Sequence, residues 1–163
     1  MNSLQQRLLT LFICTVFSTH YAHGTSSVFN KTQLTTIKAQ NMGKRWLMLL
    51  WSVDCPPCFK ELASIQKLKQ RLKQKHLQLN VVLVNTDANE EALAEQFKII
   101  QEFQLDDFPN FHFAEDQGDQ NRFLIDPHWY GELPRSYFVT RDGEFHGKSG
   151  VISQSILVRW LIE

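Results

Sequence analysis

An excess of charge of either sign is missing from this sequence. Lys plus Arg and Asp plus Glu both number 17 in 163 residues, so the formal net charge is zero. The basic excess that a nucleic-acid surface draws on is absent, and no nucleic-acid partner is expected. Internal repeats, low-complexity tracts and long linkers are missing too, and the length fits one domain. Long hydrophobic runs are scarce. The apolar stretch near the N-terminus, Leu8 to Phe17, falls short of the ~20 residues a membrane-spanning helix needs. Cysteine is scarce as well: Cys14, Cys55 and Cys58 are the only three, and a chain of this size does not need a disulfide staple to fold. What the sequence does have is 43% apolar residues, enough for a core and too many for a disordered chain.

The first 24 residues differ from the rest. Met1 to Gly24 carries one charge, Arg7, then the apolar Leu8–Phe17 stretch, then small and polar residues ending Ala22-His23-Gly24. That is the layout of a signal peptide. It predicts an exported protein, with residues 1–24 as leader and 25–163 as the domain. Cleavage after Gly24 is favoured over cleavage after Ala22; a buried N-terminal helix and an uncleaved anchor are the alternatives. Cys14 lies in the apolar stretch and would leave with it, and Leu11-Phe12-Ile13 before it lacks the small residue of a lipid-attachment site. The mature chain then holds Cys55 and Cys58, with no stable membrane span.

Hydrophobic periodicity places the elements. Thr25 to Met42 is polar and mixed, a strap with a short helix around Lys31–Lys38. Arg45 to Ser52 is a continuous apolar run, as expected of a strand buried on both faces. Pro56 to about Lys75 reads as a helix, with Cys58, Leu62, Ile65, Leu68 and Leu72 on one face and most of its lysines solvated elsewhere. Leu79–Asn85 is a second buried strand. Glu90 to about Gln104 is a helix with Leu93, Phe97, Ile100 and Phe103 as its apolar stripe. Asn110–Ala114 reads as a short strand and Asp119–Ile125 as a short helix. Ser136–Thr140, the turn Arg141-Asp142-Gly143 and Glu144–Lys148 form a hairpin. Ser153 to about Ile162 is a closing helix with Ile156, Leu157, Trp160 and Leu161 inward. Strands alternating with helices, followed by a hairpin, predict an α/β fold: a central mixed sheet with helices on both faces.

Trp51-Ser52-Val53-Asp54-Cys55-Pro56-Pro57-Cys58 sits where a buried strand turns into a helix. A helix N-terminus carries unpaired N–H groups and partial positive charge, so Cys55 is well placed to be a stabilised thiolate. Cys58 follows one turn later, within reach of its sulfur and more buried. Proline is tolerated in the first helical turn because its missing N–H goes unused there. A disulfide closing so short a loop gains little chain-entropy stabilisation, which favours chemistry over a structural bridge. Zinc needs further ligands at ordered spacing, and His76, His112, His128 and His146 are scattered singles. Copper held by both thiols and His128, and an inert structural disulfide, stay open on the residues alone.

These residues resemble the TlpA/ResA-type branch of the thioredoxin-like superfamily, exported thiol–disulfide oxidoreductases, over nearly the whole mature region. The resemblance rests on Trp51, on Cys55-Pro56-Pro57-Cys58 followed by Lys60-Glu61-Leu62, and on Gly131-Glu132-Leu133-Pro134, Tyr137-Phe138-Val139, Arg141-Asp142-Gly143 and Gly147 in that order. It implies a thioredoxin-like fold. It implies that Cys55 is the attacking sulfur and Cys58 the resolving one. It makes Trp51, Leu133 and Pro134 substrate contacts, with Leu133–Pro134 a cis bond facing the dithiol, and places Asp54 and Glu61 beside the reacting sulfurs. Four positions depart from the family pattern. Asp54 replaces a neutral residue, Leu49 a buried Asp of thioredoxin and Ala63 a helix-bending proline, and one extra residue separates Gly131 from Pro134.

The reaction implied is dithiol–disulfide exchange, with reduction favoured over oxidation or isomerisation of secreted proteins. No metal, flavin or nucleotide cofactor is called for. The partners are a protein disulfide substrate and a membrane-bound reductase, because an exported compartment such as the periplasm tends to oxidise thiols.

Overall fold

A computed structural model of the chain describes residues 26–162. The expected leader, including Cys14, lies outside the described residues. The elements run β1 (Ser27–Val28), α1 (Lys31–Gln40), β2 (Trp46–Trp51), α2 (Pro56–Lys73), β3 (Val81–Asn85), α3 (Glu90–Glu102), β4 (Asn110–His112), α4 (Gly118–Ile125), β5 (Arg135–Val139), β6 (Phe145–Ser149) and α5 (Gln154–Leu161).

The six strands form one sheet in the order β1-β4-β3-β2-β5-β6. The β2–β3, β3–β4 and β1–β4 pairs are parallel, and β5 returns antiparallel to both β2 and β6. Helices α2 and α3 make the crossovers between parallel neighbours, which a tight turn cannot do. All six residues of β2 are buried, because β2 is central and covered on both faces; this is why its sequence is a continuous apolar run. Successive side chains still alternate between faces. Leu47, Leu49 and Trp51 pack with Cys58, Leu62, Ile65 and Leu68 of α2, Ile99 and Ile100 of α3 and Leu157 of α5. Trp46, Met48 and Leu50 pack on the opposite face with Phe29, with Leu34 and Ile37 of α1, and with Phe113 and Tyr137. The sheet is therefore mixed, with helices on both faces, as expected.

Local chemistry sets the element ends. Asn30 caps α1 by accepting from the Gln33 N–H at 3.0 Å, and Asn89 caps α3 by accepting from the Ala92 N–H at 2.8 Å. Between β5 and β6 the chain turns through Gly143 at φ 90°, a left-handed conformation that glycine adopts without steric cost.

Three expectations need correcting. The strap contains a strand, β1, too short to carry a periodic signal; it adds to the sheet beside β4, pairing Ser27 with Phe111. Helix α3 buries Ala92, Gln96, Ile99 and Ile100, while Phe97 is exposed. Its inward face is rotated because Gln96 turns into the core. There its amide accepts from Asn85 Nδ2 at 3.2 Å and donates to Ser26 Oγ at 3.1 Å. In α5, Leu157 is buried and Trp160 and Leu161 pack against the core, but Ile156 points out to solvent.

Candidate active site

Strands β2 and β3 are parallel, so both end on the same edge of the sheet, at Trp51 and Asn85, which pair with each other. Such carboxyl ends are where open α/β sheets place their sites. Beyond Trp51 the chain makes a short loop, Ser52 to Asp54, before entering α2. That loop is held from the side by Asp87. One carboxylate oxygen of Asp87 accepts from the Val53 N–H at 2.8 Å and the other from the Ser52 hydroxyl at 3.0 Å. The Ser52 hydroxyl accepts in turn from the Asp54 N–H at 3.2 Å, and the Thr86 N–H donates to the Trp51 carbonyl at 2.8 Å.

Cys55 is the N-cap of α2, with Pro56 and Pro57 in the first turn. The Cys58 N–H donates to the Cys55 carbonyl at 2.9 Å. The two sulfurs are joined in a disulfide, with Cα atoms 5.3 Å apart. Cys55 retains 9% of its surface and Cys58 none. Of the two residues, Cys55 alone keeps any exposed surface.

Glu61 lies one turn after Cys58 on the same helical face and is fully buried. One carboxyl oxygen accepts from the Ile152 N–H at 2.7 Å, and the other has no hydrogen-bond partner. Burial pushes the carboxyl up to about 7 from its ordinary 4.5, against the single Ile152 hydrogen bond that pulls it down. Glu61 is thus no solvated surface acid, although Lys60 beside it is exposed. Asp54, by contrast, is exposed.

The third part of the site is the loop leading into β5. Its Leu133–Pro134 bond is cis. Arg135, the next residue, pairs with Leu50, which puts Pro134 level with Trp51 at the edge where the cysteines begin. The Pro134 carbonyl accepts from the Gly150 N–H at 2.9 Å. Leu133 packs partly buried against the cores of both faces.

Arg135 is the anchor of this loop. It donates to Asp126 at 3.0 Å and to Ser149 at 2.8 Å and pairs with Glu132 at 3.4 Å, while its guanidinium lies over the Tyr137 ring. The Tyr137 hydroxyl also donates to Asp126, at 3.1 Å. Burial alone would raise the Asp126 carboxyl. Hydrogen bonds from His128, Tyr137 and Arg135, with the Arg135 charge, outweigh it and hold the carboxyl below its ordinary value. Gly147 leaves the room Arg135 occupies: a Cβ there would come within 2.2 Å of the guanidinium.

The structure thus brings Cys55, Cys58, Glu61, Leu133 and Pro134 to one end of the sheet. Trp51 is the exception among the expected substrate contacts. It is completely buried and its indole N–H has no partner, so its side chain serves as packing behind the dithiol rather than as outer surface. His128 is exposed and lies 3.6 Å from Asp126. Among the described residues no group of three or more His, Cys, Asp or Glu side chains gathers as a metal site, and no helix is long and apolar enough to cross a membrane. Sequence reasoning missed Asp87, Asp126 and Arg135, which lack motif spacing and act through contacts between distant parts of the chain.

Comparison with known proteins agrees with this geometry. The family model described as Redoxin matches residues 23–144. The thiol-disulfide oxidoreductase ResA of Oceanobacillus iheyensis is 31% identical over 102 residues, covering 63% of this chain and 47% of that protein. The match spans about half the length of that curated relative. A secreted Mycobacterium tuberculosis disulfide oxidoreductase superposes with a TM-score of 0.55 at 20% identity, over 73% of this chain and 81% of its own. StoA from Bacillus subtilis does so with a TM-score of 0.50 at 24% identity, over 75% and 85%. With the Cys55–Cys58 pair at the head of α2 and a thioredoxin-like fold around it, the chain belongs to the Redoxin family.

Proposed function

We propose that this protein is an exported thiol–disulfide oxidoreductase that reduces disulfides in other proteins. The observation that carries the reading is the Cys55–Cys58 disulfide at the start of α2, with Cys55 keeping some exposed surface and Cys58 none. A structural bridge would have no need of that asymmetry, nor of a buried carboxyl one turn further on.

The reduced protein begins the reaction. The Cys55 thiolate attacks one sulfur of the substrate disulfide, whose S–S bond breaks, and the first substrate thiolate leaves and takes up a proton. The Cys58 thiol gives up its proton and attacks Cys55 Sγ as a thiolate; the mixed disulfide breaks, and the second substrate sulfur leaves as a thiolate that takes up a proton from solvent. Two electrons pass to the substrate, and the Cys55–Cys58 disulfide remains. Glu61 receives the Cys58 proton. Its pKa near 7 suits transfer in either direction at neutral pH, and its free oxygen leaves an acceptor available. Leu133 and Pro134 offer the edge against which the substrate strand lies. Asp54 opposes the Cys55 thiolate as a nearby like charge, weakened by solvent.

Residues 1–24 direct export, as their layout predicts, to the periplasm or an equivalent compartment. There a membrane-bound dithiol donor restores Cys55 and Cys58, since the surroundings oxidise them. The names of the relatives, among them ResA and a secreted disulfide oxidoreductase, support both parts of the reading. The deciding experiment is the reduction potential of the pair, measured against glutathione and dithiothreitol buffers, alongside reduction of insulin. A potential near the thioredoxin end of the range, about −270 mV, marks a reductase; one near about −120 mV marks an oxidant and overturns the direction.

A further inference from the structure

The apolar stripe Leu93, Phe97 and Ile100 of α3 is only partly used by the core: Leu93 is half-buried and Phe97 is 42% exposed. The three side chains line a pocket of about 240 Å³. The rest of its described lining is polar: Ser26, Gln96, Asp106 and Asn110. The pocket lies on the flank of the sheet where β4 meets the edge strand β1. It shares no residue with the dithiol site.

Most of these polar groups are already engaged. Gln96 donates from its amide nitrogen to Ser26 Oγ at 3.1 Å and to the Phe111 carbonyl at 3.4 Å, and its oxygen accepts from Asn85. The Ser26 hydroxyl is bonded to Gln96 and, at 2.8 Å, to His112 Nδ1. The Asn110 amide nitrogen donates to the Phe108 carbonyl at 2.7 Å. Two acceptors are left over. Asn110 is 7% exposed and its side-chain oxygen has no partner. Asp106 is exposed and, among the described residues, pairs with no cation, unlike its neighbour Asp107, which pairs with Lys69. No lysine or arginine is among the described lining residues.

Ligand pockets are mostly apolar, with a few polar groups that fix orientation. Here the free polar groups are acceptors only, so a ligand must bring donors. A buried acceptor without a partner is costly, and a donor from the ligand removes that cost. The Asp106 carboxylate favours a cation and repels an anion. The apolar wall calls for an apolar body. We propose that this pocket binds a small free amine, its ammonium group donating to Asp106 and to the Asn110 side-chain oxygen, its apolar body against Leu93, Phe97 and Ile100. The site does not depend on the dithiol reading and gives the protein a second binding function on another part of its surface.

The test titrates the oxidised protein with phenethylamine and follows the side-chain amide signals of Asn110 and Gln96 by NMR at neutral pH. Both signals should shift saturably, with a Kd of about 1 mM or tighter. Phenylacetate, with the same ring and the opposite charge, should bind at least about tenfold more weakly. Asp106→Asn should weaken phenethylamine binding about threefold, the size of effect an exposed ion pair gives. Leu93→Trp, which fills the apolar side of the pocket, should abolish it. Asp106→Asn changes an exposed residue, so its outcome stands even where Leu93→Trp disturbs folding. The proposal is overturned by the absence of saturable shifts at Asn110 and Gln96, or by equal binding of phenylacetate. Unchanged affinity in Asp106→Asn, or binding retained in a folded Leu93→Trp protein, overturns it as well.

Discussion

Ile152 donates its backbone N–H to Glu61 at 2.7 Å across 91 positions of sequence. This one bond ties the loop after β6 to the helix that carries the dithiol, and it leaves the second Glu61 oxygen without a partner. A buried carboxyl so sparsely bonded favours its neutral form.

The pH dependence of stability follows. In the folded, disulfide-bonded chain Glu61 keeps its proton up to about 7, whereas unfolded it titrates near 4.5. Between those values the folded state binds more protons, so stability falls as pH rises through the window and stays lower above it. The window corresponds to about 3 kcal/mol. Glu61→Gln should keep the Ile152 bond and remove this pH dependence. Its stability relative to wild type should rise by about that amount from about pH 4 to about pH 8, read from urea titrations. Parallel curves would show that Glu61 titrates normally.

Asp87 should matter to the dithiol although it carries no chemistry. Asp87→Ala removes both bonds to the Ser52–Val53 loop and should cost about 1–3 kcal/mol. It should also change the alkylation rate of reduced Cys55, since the loop sets where that sulfur sits. Asp87→Asn, which keeps an acceptor, should recover part of both effects. Unchanged alkylation in Asp87→Ala would mean the loop holds itself.

Gly147→Ala adds one methyl group where the Arg135 guanidinium lies. Arg135 must then leave Asp126, and a loss of about 1–3 kcal/mol is expected from the forced repacking. Thermal unfolding checks it; a melting temperature equal to wild type would show that the guanidinium moves aside freely.

Export is tested by the N-terminus of the mature protein in a secreting bacterial host. Cleavage after Gly24 predicts Thr25 as the first residue, read by terminal sequencing. A soluble cytoplasmic product beginning at Met1 would contradict it.

The legible parts of this protein are those written at short range. The apolar run of β2, the stripe of α2 and the Asp-Gly turn each depend on neighbours a few residues apart, and all three stand in the structure. So does the position of Cys55 ahead of its helix. Glu61 was visible as a residue but not as a buried one, because a periodic apolar stripe does not tell whether a polar neighbour at its margin turns inward. The face of α3 was misplaced for the same reason: Gln96 turns inward and displaces Phe97. Asp87 and Arg135 stayed hidden because their partners are set by the fold, with Asp87 reaching Val53 across 34 positions.

The central claim is that the two sulfurs have different jobs. It is tested in the chain starting at Thr25, which lacks Cys14, by treating the Cys58→Ser and Cys55→Ser proteins with a cystine peptide and recording intact mass. Cys58→Ser should gain one peptide through Cys55, released by dithiothreitol, because the group that resolves the mixed disulfide is gone. Cys55→Ser should react at least about tenfold more slowly, since Cys58 has no exposed surface. Equal adduct formation by both variants, or faster reaction through Cys58, would contradict the account.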